Sequence, residues 1–221
     1  HLGRTESLAG TKTDMAYSIL NRLNSTGRDR VSLVGLFDST VKLTPTQRAA
    51  LTRYASTDVT PERINTLLRS GGAITPEISQ LDAAMAASTL QREITVFRGL
   101  NELVVEGYPS RGAGAVRRAL GLNPNEPLPL NLVGHEFIEP GFASTTTRRG
   151  IAQVFGTGDQ GILFEIHAPR GTHAALIPGG EDEILLDRGL RYRVVGDRIE
   201  TEMVGLRGDE PLHHRVLTIE V

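Results

Sequence analysis

The chain has 221 residues, of which 39% are hydrophobic and 23% charged, and its formal net charge is −2. This globular composition predicts one main folded domain. No apolar run reaches the roughly 18–20 residues of a membrane helix. The weak negative net charge gives no general electrostatic attraction for nucleic acid or anionic lipid. The absence of cysteine excludes a disulfide scaffold, a zinc–thiolate site and a cysteine nucleophile.

Residues 1–90 are predicted to be helical. Apolar side chains recur at helical spacing over residues 14–23, and a threonine–proline pair then occurs at residues 44–45, 60–61 and 75–76. In each pair the hydroxyl can cap a helix and the proline suits the first helical position. Gln47 completes a capping box with Thr44. These signals predict helices at 45–55, 61–70 and 76–88.

Residues 91–221 are predicted to be mainly strands. A Gly/Pro-rich stretch at 107–129 holds one short helix, 113–120, and another short helix is predicted at 149–155. The predicted strands are 93–98, 133–138, 141–147, 161–167, 173–177, 183–186, 192–195 and 215–221. Helices followed by strands indicate an α+β fold rather than alternating βαβ units. We divide the chain into an N-terminal helical or partly flexible segment, 1–43, and a main domain, 44–221.

Arg98 is the first candidate for a binding residue. Alternation along its strand places its side chain on the same face as Ile94 and Val96, and a charge on an apolar face is costly unless it has a partner. A buried carboxylate of the protein and a phosphate of a ligand both suit the planar guanidinium fork. The strand by itself leaves these two partners equally open.

A run of hydroxyl side chains at residues 144–147 is the second candidate. On a strand, Ser144 and Thr146 point to one side, where they could hold an acidic side chain or a ribose. An ordinary polar edge strand is the alternative that the run alone leaves open.

Two carboxylates after a glycine loop, Gly179-Gly180, are the third candidate. Residues two apart share a strand face, so Glu181 and Glu183 are expected to point together, with Asp182 pointing away. Two carboxylates with separate roles are the usual apparatus for cleaving a glycosidic bond through an oxocarbenium-like transition state. A solvated acidic loop is the alternative. The histidines show no metal-ligand spacing, so no metal is expected.

In this order, the three elements resemble the R-S-E class of mono-ADP-ribosyltransferases, which includes clostridial exoenzymes, enzymatic components of binary toxins and several type III effectors. The family pattern is arginine–glycine at the end of a strand, Ser-Thr-Ser, and Glu/Gln-x-Glu. It is matched by Arg98-Gly99, Ser144-Thr145-Thr146 and Glu181-Asp182-Glu183. Residues 64–69 resemble the family's Asn-x-x-Leu-Arg helix. The match covers about residues 54–221, apart from the stretch 107–129.

The resemblance implies an ADP-ribosyltransferase fold of two packed, mainly antiparallel β-sheets flanked by N-terminal helices, with NAD as substrate in the cleft between them. Arg98 would bind the pyrophosphate or adjoining ribose. The other residues implied for the NAD site are Gly99, Arg69, Asn65, Thr145 and Thr146. Ser144 would orient Glu183, which would hydrogen-bond the nicotinamide ribose and stabilise the oxocarbenium ion. Glu181 would position and deprotonate the acceptor.

Glutamate at the first position of the Glu-x-Glu motif implies arginine as the acceptor, and a guanidinium also needs a carboxylate to dock and to take its proton. The resemblance thus implies transfer of ADP-ribose to an arginine of a host protein, with release of nicotinamide. It further implies a monomeric bacterial effector or toxin of the plant-pathogen type III branch, secreted into the host cytoplasm. No Sec-type signal is visible in the polar residues 1–13. The alternatives are an NAD glycohydrolase and a non-catalytic binding module.

Overall fold

The computed structural model describes residues 33–55, 60–100, 114, 116–117, 120–123, 126–156, 161–178, 182–204 and 210–221. Over these ranges the chain begins with three helices and continues with strands and one further helix. The elements are α1 (Pro45–Tyr54), α2 (Thr60–Arg69), α3 (Pro76–Ala86), β1 (Ile94–Leu100), β2 (Glu136–Glu139), β3 (Ala143–Thr146), α4 (Arg149–Phe155), β4 (Ile162–Ala168), β5 (Ala174–Leu176), β6 (Glu183–Leu186), β7 (Leu190–Val204) and β8 (Glu210–Glu220). None of the helices in these ranges is long and apolar enough to cross a membrane.

The threonine caps set the starts of the first and third helices. Thr44 Oγ1 accepts the backbone N–H of Gln47 at 3.2 Å, and the Gln47 side chain accepts the Thr44 N–H at 2.8 Å, which completes the capping box. Thr75 accepts the N–H of Ile78 at 3.3 Å. The three predicted helices are confirmed, although α2 begins at Thr60 itself. The predicted helix 14–23 lies outside the described residues, and the predicted helix 113–120 is described, as helix, only at residues 114, 116 and 117.

The strands form one sheet in the order β2-β7-β8-β4-β1-β3-β6-β5. Among the described strands, only β4 and β8 run parallel to each other, so the α+β class and the mainly antiparallel pairing are confirmed. Two packed sheets were expected, and the described strands instead form one hydrogen-bonded sheet. The two groups of strands are continuous because β1 and β3 pair, but they do so at a single residue pair, Phe97 and Thr146.

Strands β7 and β8 are much longer than predicted. The apolar pattern indicated strands at 192–195 and 215–221, whereas the two strands pair from Arg193 and Glu220 out to Val204 and Glu210. Charged side chains on this ribbon hide the alternation. Asp197, beyond the predicted stretch of β7, forms an ion pair with Arg215 of β8, and such cross-strand pairs support a strand whose apolar pattern is interrupted.

The core lies on both faces of the β3-β6-β5 group. Helices α1 to α3 cover one face, where Leu185 packs with Leu51 and Ile78. Ile184 belongs to the other cluster, with Val96, Phe164 and Tyr192. Residues before α1 belong to the cluster that contains Ile184. Leu36 is fully buried there, and Phe37 forms an isolated antiparallel backbone pair with Leu90. The division of the chain at residue 44 stays a prediction.

Candidate active site

A cavity of about 600 Å³ opens where β1 and β3 meet, between helices α2 and α4. Its lining includes eight of the nine residues predicted for the site. These are Asn65, Arg69, Arg98, Gly99, Ser144, Thr145, Thr146 and Glu183. The ninth, Glu181, lies outside the described residues. The fold therefore brings together residues from four separate elements, α2, β1, β3 and β6.

Ser144 and Glu183 meet across neighbouring antiparallel strands. Thr146 lies directly opposite Glu183, and Ser144 lies opposite Leu185, so Ser144 and Glu183 are diagonal neighbours on one face. The Ser144 hydroxyl donates a hydrogen bond to Oε1 of Glu183. The serine of the hydroxyl run therefore holds an acidic side chain, which is one of the partners that its strand position left open.

The other two hydroxyls of the motif bond to the backbone. Thr145 is buried, and its Oγ1 donates to the carbonyl oxygen of Ile184 at 2.6 Å. Thr146 Oγ1 accepts the N–H of Arg148 at 3.1 Å, at the start of α4. These bonds fix β3 against β6 and α4, so both threonines support the position of Ser144.

Arg98 is half-buried on β1 and lines the cavity. None of the ion pairs formed by the described residues includes it, so the buried carboxylate that was one possible partner is not within ion-pair distance among those residues. Burial alone would raise the pKa of Glu139, yet the charges of Arg69 and Arg98 help to hold it below its ordinary value. Arg98 therefore faces the cavity as a cation with Glu139 in its vicinity.

Gly99 is required by the packing of α4 on β1. A Cβ at this position would overlap the carbonyl oxygen of Ala152 and lie 2.7 Å from the carbonyl carbon of Phe155. Both contacts are with backbone atoms, which cannot rotate away. The glycine of the arginine–glycine pair thus allows α4 to form one wall of the cavity.

Asn65 joins α2 to the turn that enters β3. Its Oδ1 accepts the N–H of Phe142 at 2.9 Å, and its Nδ2 donates to the carbonyl oxygen of Phe142 at 3.1 Å. Nδ2 also donates to the hydroxyl of Tyr54 at 2.8 Å. Burial raises the pKa of Tyr54 to about 12, so this hydroxyl stays protonated at neutral pH.

Arg69 forms a bidentate ion pair with Glu139. Its Nε lies 3.0 Å from Oε1, and its Nη2 lies 3.1 Å from Oε2. The side chains are only 13% and 11% exposed, respectively. The same Oε1 accepts the N–H of Gly141 at 2.8 Å, so the carboxylate accepts hydrogen bonds from both a side chain and the backbone.

Among the residues of this region that the sequence did not single out, three bear on the site. Tyr54 and Phe155 line the cavity, and the Phe155 side chain stands 59% exposed at its rim. Glu139 lies behind the lining. One signal could have found it, because Glu139 shares the buried face of β2 with Phe137, and a charge on an apolar face demands a partner. The same argument had singled out Arg98.

The expectation that Glu181 and Glu183 share a strand face is not supported by the backbone between them. Asp182 has a φ of 56°, which is left-handed rather than extended. Strand alternation therefore does not extend across Asp182, and the side on which Glu181 lies does not follow from the position of Glu183.

The comparisons with known proteins agree with this geometry. A sequence model of the ADP-ribosyltransferase exoenzyme family matches residues 35–215, and the chain belongs to this family. A comparison with curated protein sequences finds no match. Among the described residues, no group of three or more acidic or histidine side chains could hold a metal ion.

Solved structures of bacterial toxins share the fold. The enzymatic component C2-I of the C2-toxin from Clostridium botulinum is 16% identical with a TM-score of 0.60, covering 81% of this chain and 44% of that one. The ADP-ribosyltransferase toxin Plx2a from Paenibacillus larvae is 18% identical with a TM-score of 0.56, covering 96% and 95%. C3stau2 from S. aureus, solved with NAD, is 20% identical with a TM-score of 0.52, covering 99% and 98%. This chain thus spans less than half of the C2-I chain.

Proposed function

We propose that this protein is a mono-ADP-ribosyltransferase that transfers ADP-ribose from NAD to an arginine of a host protein and releases nicotinamide. The observation that carries the proposal is the hydrogen bond from Ser144 to Glu183 at the wall of a cavity that Arg98 also lines. An oriented carboxylate suits the cleavage of a glycosidic bond, and a guanidinium suits a pyrophosphate.

The cavity is suited to a ligand of the size and charge of NAD. Its volume of about 600 Å³ lies within the usual range of roughly 300–1,000 Å³ for ligand pockets. Arg98 would hold the pyrophosphate or adjoining ribose, with Arg69 assisting from α2, while Asn65 would support the site by holding the turn that enters β3. The exposed ring of Phe155 would offer a flat apolar surface to one of the aromatic ends.

The proposed transfer breaks the bond between the nicotinamide nitrogen and C1′ of the ribose, and the electron pair leaves with nicotinamide. A nitrogen of the target guanidinium forms the new bond to C1′ and loses one proton, which Glu181 accepts. Glu183, oriented by Ser144, sets negative charge beside the positive charge that develops on the ribose. Thr145 and Thr146 contribute by holding β3 in place.

The test is nicotinamide release from NAD by the wild type and the Glu183→Gln variant, with and without agmatine as an arginine mimic. We expect release that rises with agmatine and is lost in Glu183→Gln, because a neutral amide stabilises the developing cation poorly. Glu136→Gln is the matched control, since Glu136 is an exposed residue of β2 paired with Arg191 and is not among the cavity lining. Near-wild-type release by Glu183→Gln would overturn the assignment.

The same experiment separates the two alternative functions. Nicotinamide release that depends on Glu183 but does not change with agmatine would indicate an NAD glycohydrolase with water as the acceptor. No release from a folded wild type that still binds NAD in calorimetry would indicate a non-catalytic binding module. Mass spectrometry of modified target peptides would then locate the ADP-ribose and decide whether arginine is the acceptor.

We also propose that the protein is a type III effector that acts as a monomer in the host cytoplasm. The support is its membership of a family of exoenzymes and the motif order that resembles such effectors. A translocation reporter fused to the full chain should enter host cells only from bacteria with a working type III apparatus. Light scattering should give the mass of one chain.

A further inference from the structure

Glu139 is a buried carboxylate that is not among the cavity lining, and the role inferred for it rests on the proposed function. We infer that Glu139 is a positioning residue for the NAD site: it aims Arg69 at the ligand and fixes the turn that carries β3. It has no assigned role in the sequence motifs, and it lies at the end of β2, one turn before Ser144.

Glu139 holds Arg69 by one edge of its guanidinium group. The ion pair uses Nε and Nη2 of the guanidinium, so Nη1 takes no part in it. Because Arg69 lines the cavity, a guanidinium held on one edge by a carboxylate can present its remaining N–H groups to a phosphate. A free arginine side chain would first have to lose its rotamer freedom, which a fixed one has already lost.

The Glu139 carboxylate also holds the turn that leads into β3. Oε1 accepts the Gly141 N–H, and Asn65 brackets both backbone groups of the next residue, Phe142. A Cβ on Gly141 would lie 2.6 Å from Asn65 Oδ1 and 3.1 Å from Glu139 Oε1, so the turn is closely enclosed. Ser144 follows this turn directly, and its hydroxyl holds Glu183.

The negative charge of Glu139 would by itself oppose the binding of a pyrophosphate. A carboxylate beside Arg69 and Arg98 reduces the positive potential that a pyrophosphate meets. If Glu139 acted only through its charge, its removal would tighten NAD binding. If it acts by positioning, its removal weakens binding. The two roles therefore predict opposite signs for one measurement.

The experiment is calorimetric titration of NAD into the wild type, Glu139→Gln, Arg69→Met and the double variant. Glu139→Gln should weaken NAD binding about tenfold, which is the usual order for coupled neighbours, and should raise the KM of nicotinamide release by a similar factor. In the Arg69→Met background the same change should cause no further loss, because there is no guanidinium left to aim.

Two more variants keep the result interpretable. Glu139→Asp preserves the charge but shortens the side chain, so it should also weaken NAD binding, and it serves if Glu139→Gln fails to fold. Asp197→Asn is the matched control. Asp197 likewise takes a two-pronged arginine, Arg215, and a backbone N–H, that of Leu132, but it is not among the cavity lining, so its loss should lower the melting temperature and leave NAD affinity unchanged.

Unchanged or tighter NAD binding in folded Glu139→Gln, or an equal loss in the Arg69→Met background, would overturn the inference while the proposed function stands. A wild type that binds NAD without turnover would overturn the transferase proposal alone, since the affinity comparison still reports on Glu139. A wild type that does not bind NAD would overturn both.

Discussion

Ser144 on β3 and Glu183 on β6 lie diagonally across an antiparallel pair, and the serine hydroxyl donates a hydrogen bond to the glutamate carboxylate. This bond fixes the side chain on which the proposed chemistry depends. Because the two strands also share the Thr145 to Ile184 bond, the orientation of Glu183 is set by the sheet itself rather than by a mobile loop.

Removing the serine hydroxyl should separate orientation from binding. Ser144→Ala should lower the kcat of nicotinamide release by about 10- to 100-fold, the range expected for one hydrogen bond to a charged group, while NAD affinity changes little. Steady-state kinetics and calorimetry measure the two effects. Ser144→Thr, which keeps a hydroxyl, is the control. A loss confined to KM would contradict an orienting role.

Arg98→Lys should weaken NAD binding although it keeps the positive charge. A lysine offers a point charge where the guanidinium offers a planar fork that can meet two phosphate oxygens. We expect about a tenfold loss of affinity in calorimetry, on the order of 1.4 kcal/mol. Arg191→Lys, at an exposed pair on β7, should bind NAD like the wild type. Equal affinities for Arg98→Lys and wild type would remove Arg98 from the site.

Gly99→Ala should destabilise the fold and displace α4. The new methyl group would meet the backbone of residues 152, 155 and 156, and overpacking of this kind costs about 1–3 kcal/mol. Urea unfolding measures the loss. At Gly72 the nearest atom to an added Cβ is the flexible end of Leu67, so Gly72→Ala should cost less. A Gly99→Ala protein as stable as Gly72→Ala would refute the packing account.

Glu181→Ala should spare NAD hydrolysis and remove arginine transfer. The proposed role of Glu181 is to dock the acceptor guanidinium and take its proton, and neither step is needed when water is the acceptor. Nicotinamide release without agmatine should therefore persist, whereas its rise with agmatine should vanish. Equal loss of NAD hydrolysis and of arginine transfer would contradict separate roles for Glu181 and Glu183.

Acid should remove the stability that Glu139 contributes. Burial works to raise its pKa, but Arg69, Arg98 and the Gly141 N–H hold the pKa below its ordinary value. A carboxyl group with a lowered folded-state pKa stabilises the fold above the unfolded pKa, about 4.3 for glutamate, and this stability is lost as the pH falls through the folded pKa. The Tm difference between wild type and Glu139→Gln should hold from about pH 7 to 5 and shrink below about pH 4. A difference undiminished at about pH 3 would contradict this.

The sequence by itself determined the local elements and the residues of the motifs. The three Thr-Pro pairs located the three helices, and at Thr44 and Thr75 the hydroxyl caps its helix through a bond between residues three apart. The alternation of β3 predicted that Ser144 and Thr146 point to one side, and a charge on an apolar strand singled out Arg98. These inferences need only the nearest neighbours along the chain. The order of the motifs supplied the family resemblance, and the match over residues 35–215 confirmed the family.

The tertiary structure alone decided which distant residues meet. The pairing of Glu139 with Arg69, 70 positions apart, depends on how α2 packs against the turn before β3, and no local pattern encodes that contact. The left-handed backbone at Asp182 interrupts the strand alternation on which the expectation for Glu181 and Glu183 was based. The strands β7 and β8 extend beyond their apolar stretches because they pair with each other out to Val204 and Glu210. In each case the deciding free energy comes from contacts between elements, which exist only once the chain has folded.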